Sequence, residues 1–426
     1  MQKFRSMYAV GLAVAVGAVV AGCGSSSSSS TTSSSTSTPS STATPSISAT
    51  SFTNDFSAMA ALKSLASSGK GKIAAILPDT TSSTRYVEFD APMIKQAAAA
   101  AGLPASDITV QNALGSDATF VTDAQSAITN GATVLLIDPE DSGTGVTVQR
   151  YAKAHGVAVV DYDRLTLGAP AGTADYVSFN NVHVGQLIGQ GFVACVAAWH
   201  VTKPQVIVMH GDVTDNNATL FAQGYNGVLA SYFSSGKYKL VAATAGTWKP
   251  PVALTEFQGA FTAHPSTNSA VIPNDETGAP IVSYLQSHGV KPKTFPTTGQ
   301  DATLVGLQNV LSGYQCGTVY KPIYLEAQAA VALALYLRAG KTAPSSLINS
   351  TTTDPTTKAA VPSVLLKPEW VTPTNMNATI IKDKFVPAAQ LCSGKFAAPC
   401  KAAGIAAITP SNASIRSARR SKISSP

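Results

Sequence analysis

The chain has 426 residues, 45% hydrophobic and 12% charged, which is ample for two lobes with separate cores. Its formal charge of +6 sits at the ends. Of 29 basic residues, Lys3 and Arg5 stand near the start and Arg416, Arg419, Arg420 and Lys422 near the finish, which leaves a neutral body of 23 bases against 23 acids and excludes the basic face that nucleic-acid binding needs.

Residues 1–10 carry two bases and no acid, residues 9–21 are small and apolar, and Val20-Ala21-Gly22 runs into Cys23. That layout describes a secretory signal. It is too short to span a bilayer comfortably, where about 20 apolar residues are needed. A Cys directly after small residues resembles a bacterial lipobox. The resemblance implies a signal peptide over residues 1–22, a lipid on Cys23 and attachment to the outer face of the cell membrane; an uncleaved anchor or a chance Cys is the alternative. Residues 25–51 are almost all Ser, Thr, Pro and Ala. With Cys23 they make a tether over residues 23–52 that cannot bury a core and is expected to be disordered, with a reach of roughly 30 Å r.m.s.. The basic end, residues 404–426, reads as a disordered, solvated tail.

Four further Cys remain in an oxidising compartment. Cys392 and Cys400 lie close together in a Gly/Pro-containing segment and are expected to bridge. A Cys195–Cys316 bridge rests on elimination alone. None has the spacing of a zinc cluster.

From residue 72 strand and helix signals alternate. Strands are expected at 73–77, 108–111, 134–137, 157–162 and 177–179, with helices such as 91–101, 120–129 and 144–155 between them. The scheme repeats with strands at 206–209, 240–243, 270–272, 294–298 and 318–320. The helices of this half are expected at 182–198, 220–233, 251–263, 279–288 and 302–311. A last helix is expected at 324–339 and a short one at 55–68. Such alternation argues for two open α/β sheets. Val157-Ala158-Val159-Val160, apolar without alternation, reads as a strand buried on both faces of a parallel sheet. Ligands bind beyond the carboxyl ends of such strands.

The residues just beyond the strand ends are therefore informative. Arg85-Tyr86 stand beyond the first, Asp163-Arg164 beyond 157–162, and Asn217 within the loop beyond 206–209. Trp248 comes after 240–243, Asn274 after 270–272, Asp301 after 294–298 and Lys321 after 318–320. Carboxylates, amides and guanidinium groups pair with neighbouring hydroxyls, and aromatic rings cover the C–H faces of a pyranose. Any one of these residues also suits a bland role, as an ion pair closing a βα loop or as a helix cap, for which Asn217, Asp275 and Asp301 are good types. Their agreement across so many strand ends favours a sugar site.

"YDR" after a Val-rich strand, "DNNA", "NDET", "GQDA" and "TVYKP" occur in this order. Over residues 72–377 the chain resembles the periplasmic xylose-binding proteins, a sugar-binding branch of the type I periplasmic binding proteins. The resemblance implies an α/β fold of two Rossmann-like lobes joined by three hinge crossovers, near 178–181, 320–322 and 341–366. The first lobe would comprise residues 72–179 and 321–345, the second residues 180–320 and 346–403. It also implies a monomeric receptor that delivers a monosaccharide to an ABC transporter permease and its ATPase, without a cofactor. The implied sugar contacts are Arg85, Asp163, Arg164, Asn217, Trp248, Asn274, Asp301 and Lys321, with Trp248 stacking on one sugar face. Tyr86 departs from the Trp usual at its position in the xylose branch, and "PDTTSSTRY" and "VPSVLLKP" also resemble binders of glucose, galactose or arabinose. An aldopyranose is thus firmer than D-xylose.

Catalysis finds little footing. The six His form no ligand pair, and there is no nucleophile elbow or phosphate loop. Asp161 with Asp163, or Asp275 with Asp301, would make a glycosidase pair only with an acid/base signature that is lacking. A sensor that presents sugar to a receptor kinase would use the same body.

Overall fold

The computed structural model describes residues 44–406. The expected signal peptide, Cys23, most of the Ser/Thr stretch and the tail beyond residue 406 lie outside the described residues.

The first lobe is built on a seven-stranded sheet. Strands β1 (Lys72–Leu77), β2 (Ile108–Asn112), β3 (Ala132–Ile137), β4 (Ala158–Tyr162) and β5 (Asp175–Phe179) pair in parallel in the order β2-β1-β3-β4-β5. Both faces are covered, which is why these strands lack polar alternation. Ala74 and Ile76 of β1 pack with Phe120, Ala124, Val148 and Ala152, from α3 (Asp117–Thr129) and α4 (Ser142–Ala154). Ile73, Ala75 and Leu77 turn the other way, to a core shared with α1 (Lys63–Ser68) and α2 (Ala91–Ala100).

The chain leaves this lobe after Phe179 and enters α5 (Asn181–Ala198). The second lobe continues through β6 (Gln205–Val208), α6 (Asn216–Ser234), β7 (Lys239–Ala243), α7 (Pro250–Ala263) and β8 (Ser269–Val271). It ends with α8 (Asp275–Ser287), α9 (Leu304–Leu311) and β9 (Thr318–Tyr320). Its sheet runs β7-β6-β8 in parallel. The expected strand at 294–298 is an irregular bridge instead. Pro296 has no N–H to give, and the Thr298 hydroxyl takes the place of a backbone group, accepting from Ile272 N at 2.8 Å. Ala270 N still donates to Pro296 O, and Cys316 N to Thr297 O, so the segment joins β8 to the approach of β9.

After Tyr320 the chain returns to the first lobe as α10 (Ile323–Arg338), whose residues are nearly all buried. Three boundaries need correction. Residues 346–366 were expected in the second lobe; they form β10 (Ser350–Thr353) and β11 (Ala360–Leu366), and β11 pairs in parallel with β5. The third crossover is therefore residues 367–368, after which β12 (Glu369–Val371) pairs antiparallel with β9. The expected tether also ends sooner. From Pro45 the chain is fastened to the first lobe: Tyr336 donates to Pro45 O at 2.5 Å, Ala49 N donates to Ser346 O, and Ile47, Ala49 and Phe52 are buried. Three apolar side chains in a polar stretch suffice to dock it. The tail likewise begins later than residue 404, because Ile405 is buried. Cys195 is bonded to Cys316, and Cys392 to Cys400. No helix among the described residues is long and apolar enough to cross a membrane.

Because Phe52 is 5% exposed in the main core, Phe52→Ala is expected to cost about 3 kcal/mol. Urea unfolding checks this; an unchanged midpoint would mean that the 44–52 segment does not dock.

Candidate functional site

The strand ends of the two lobes face one another across a narrow cavity. Every residue expected from the strand ends lines it: Arg85, Tyr86, Asp163, Arg164, Asn217, Trp248, Asn274, Asp301 and Lys321.

Arg85 lies beyond β1 and is 1% exposed. Its Nε and Nη2 donate to Asp90 at 2.9 and 2.6 Å, and Nη2 also to Glu326 at 2.6 Å. Nη1 has no hydrogen-bond partner among the described residues and stands 3.2 Å from Asp163 Oδ1. The guanidinium is thus clamped from behind and presents one nitrogen forward.

Asp163 directly succeeds β4 at φ 60°, a left-handed conformation that Asp tolerates better than most residues. Its carbonyl accepts from Ser178 Oγ at 2.7 Å, Asn217 Nδ2 at 3.0 Å and Tyr176 OH at 3.1 Å. Its carboxylate accepts from Tyr86 OH at 3.1 Å and lies 3.8 Å from Lys321 Nζ. Burial alone would raise its pKa; Arg85, Lys321 and Arg164 outweigh that and hold it well below the usual carboxylate range.

Arg164 reaches both lobes. It donates to Pro139 O and Tyr86 OH at 3.1 Å each, and its Nε lies 3.5 Å from Asp138 and 3.4 Å from Asp215. The Tyr86 hydroxyl accepts from Arg164 and gives its one proton to Asp163, so toward a ligand it has only acceptor capacity to offer, beside its ring. From the second lobe, Trp248 is oriented by donating Nε1 to Asp215 at 2.9 Å. Its ring lies on Gly211, where a Cβ would come within 2.2 Å of it. Asp301 accepts from Ser83 Oγ at 2.9 Å and pairs with Lys321 at 3.2 Å.

Two expected contacts serve largely other ends. Asn274 caps α8, accepting from Thr277 N at 3.0 Å, and gives Nδ2 to Ser82 O at 2.8 Å across the cleft. Asn217 accepts from Asn181 at 2.8 Å while donating to Asp163 O. Both tie the lobes together. With the Thr84–Glu276 bond of 3.0 Å, these links define a closed arrangement.

Asp215, Gln300, Ser83 and Phe221, which the sequence did not single out, also line the cavity, and Asp90, Glu326 and Asp138 stand behind it. Asp138 directly succeeds β3, so its signal was the same strand-end position that marks Asp163. Glu326 is the one acid in the mostly apolar α10. Asp90 carries no such signal.

Residues 73–342 match the family described as periplasmic binding protein domain. The chain is 34% identical over 281 residues to the D-xylose-binding periplasmic protein of Escherichia coli strain K12, covering 65% of this chain and 81% of that protein. It is 28% identical over 365 residues to a multiple sugar-binding periplasmic protein of Azospirillum brasilense, covering 80% of this chain and 99% of that one. Among solved structures, an ABC transporter solute-binding protein from Clostridium phytofermentans with bound β-D-glucose superposes with a TM-score of 0.66 and 25% identity. That match covers 75% of this chain and 99% of that one.

Removing the Arg85 guanidinium would leave Asp90 and Glu326 buried without their cation. Arg85→Met is expected to destabilise the protein by about 3–5 kcal/mol. A loss below about 1 kcal/mol in urea unfolding, the range of an exposed pair, would contradict the clamp.

Proposed function

The chain belongs to the periplasmic binding proteins, in their type I sugar-binding branch, and we propose that it captures an aldopyranose, D-xylose first, between its lobes and delivers it to an ABC transporter permease. The observation that carries this reading is the set of buried polar atoms around the cavity whose hydrogen-bonding capacity is not filled among the described residues: Arg85 Nη1 and Asp301 Oδ1, each in an ion pair at 3.2 Å but without a hydrogen bond, and Gln300 Oε1. A buried donor or acceptor left unmatched is costly. Adjacent sugar hydroxyls both donate and accept, so one pyranose ring serves all three. Trp248 and Tyr86 supply rings for its apolar faces. The protein binds its ligand without converting it.

Bound sugar touches both lobes only when they are closed, so it shifts the population toward the closed form. That form is what the permease, driven by its ATPase, receives. The protein works outside the cytoplasm as a monomer, held by a lipid on Cys23. A broader sugar range is the second reading, favoured by the match that runs over 99% of the Azospirillum brasilense protein.

Calorimetric titration with D-xylose, D-glucose, D-galactose, L-arabinose and D-ribose separates the two. Xylose alone is the expected result. Similar affinity for several pyranoses establishes the broader range, and no binding overturns the sugar reading. Asp301→Ala is expected to weaken binding by about 2–4 kcal/mol; unchanged affinity would remove Asp301 from the site.

A further inference from the structure

Asp275 opens α8 behind the cavity wall and does not line the cavity. It is wholly buried. The partners of its carboxylate are donors from separate stretches of the second lobe. Gln315 Nε2 donates to Oδ1 at 2.7 Å, while Thr303 N and Thr318 Oγ1 each donate to Oδ2 at 3.0 Å. Two glycines make room for it: a Cβ on Gly299 or on Gly306 would come within 2.0 Å of a carboxylate oxygen. A structure that keeps two close approaches free for one side chain has committed much of its local packing to it.

The object of this arrangement is the turn that carries Asp301. Asp301 and Ala302 are consecutive non-glycine residues at φ 90° and 52°. Such backbone persists only where its surroundings over-determine it. Here Thr303 N is held by Asp275 directly. Ala302 N donates to Thr318 Oγ1 at 3.2 Å, and the same hydroxyl gives its proton to Asp275. Both peptide N–H groups after Asp301 thus end on one carboxylate. Asp301 N itself donates to Val319 O at 2.9 Å. Held so, the Asp301 carboxylate faces Ser83 and Lys321.

We propose that Asp275 is a positioning residue for sugar capture, acting through the 299–303 turn to hold Asp301 toward the cleft. This rests on the sugar-binding reading of the cavity. An Asn at 275 keeps the volume but removes the charge: turned one way it sets NH2 against Thr303 N, a donor, and turned the other it leaves a neutral oxygen where the carboxylate accepted from Thr303 N and Thr318 Oγ1, so the hold on the turn weakens either way. Thr318→Val cuts only the branch to Ala302, and Thr318→Ser keeps it.

The test uses the whole protein, with D-xylose calorimetry beside amide hydrogen exchange at Ala302 and Thr303. Asp275→Asn is expected to raise the dissociation constant about tenfold or more. Exchange at the two amides should quicken about tenfold while Val271 and Ile272 stay protected. Thr318→Val should move both readouts the same way, and Thr318→Ser should match the parent. In an Asp301→Asn background, Asp275→Asn should change affinity by less than about twofold, because its effect passes through Asp301; a general loss of stability would add in full. Parental exchange at Ala302 and Thr303 in Asp275→Asn would overturn the proposal, as would full additivity with Asp301→Asn. If the parent binds none of the sugars, the sugar reading falls, and exchange alone upholds or overturns Asp275 as the clamp of the turn.

Discussion

The cleft depends on matching charges that have no access to water. Arg85 sits where the start of α2, the returning helix α10 and the end of β4 meet, and each supplies it an acid: Asp90, Glu326 and Asp163. Removing one partner of such a group costs several kcal/mol, so these elements hold a common register. The acids do not share the cation equally. Asp163 lies among Arg85, Lys321 and Arg164 and stays ionised. Glu326 is pushed up to about 8, first by burial, because its main relief is an arginine it shares with Asp90 and Asp163.

A second constraint runs through the backbone. Asp163 and Asp301 project into the cavity from opposite lobes, and both sit at positive φ. Strained turns of this kind cost of order 1–3 kcal/mol each. Asp163 is held by three donors on its carbonyl, and Asp301 by bonds to the peptides around it. The strain is borne in folding, so a ligand meets carboxylates already aimed, and less ordering remains to be done on binding.

Much of this was legible in the sequence because its causes are local. Unbroken apolar runs such as 157–160 announced strands covered on both faces, and the residues just beyond them had to converge at one edge of each sheet. What was missed depends on distant partners. Glu326 and Arg85 are 241 positions apart, and nothing local to either names the other. Residues 350–366 are Thr-, Ser- and Pro-rich and pass for a loop, yet they complete the first sheet because β5 offers a free edge. Residues 44–52 read as more tether, since Ile47 and Phe52 among Ser and Thr make no pattern. Residues 294–298 had the composition of a strand, but Pro296 removed the donor that a regular ladder requires.

The crossovers explain why Lys321 matters beyond its charge. It lies in the second crossover itself, between β9 and α10, and its Nζ is 3.8 Å from Asp163 of the first lobe and 3.2 Å from Asp301 of the second. Near that crossover the second lobe is fastened firmly. The Cys195–Cys316 bridge ties α5 to the approach of β9, and the Trp370 ring of β12 rests on Gly191 and Gly317. The three chain segments that enter or leave the lobe are thus locked to one another beside the crossovers at residues 180, 321–322 and 367–368. Any rotation there that parts the lobes must separate Lys321 from one of its two carboxylates. Closure restores the compensation of both, so the same ammonium that would meet a ligand hydroxyl also favours the arrangement in which that hydroxyl is enclosed.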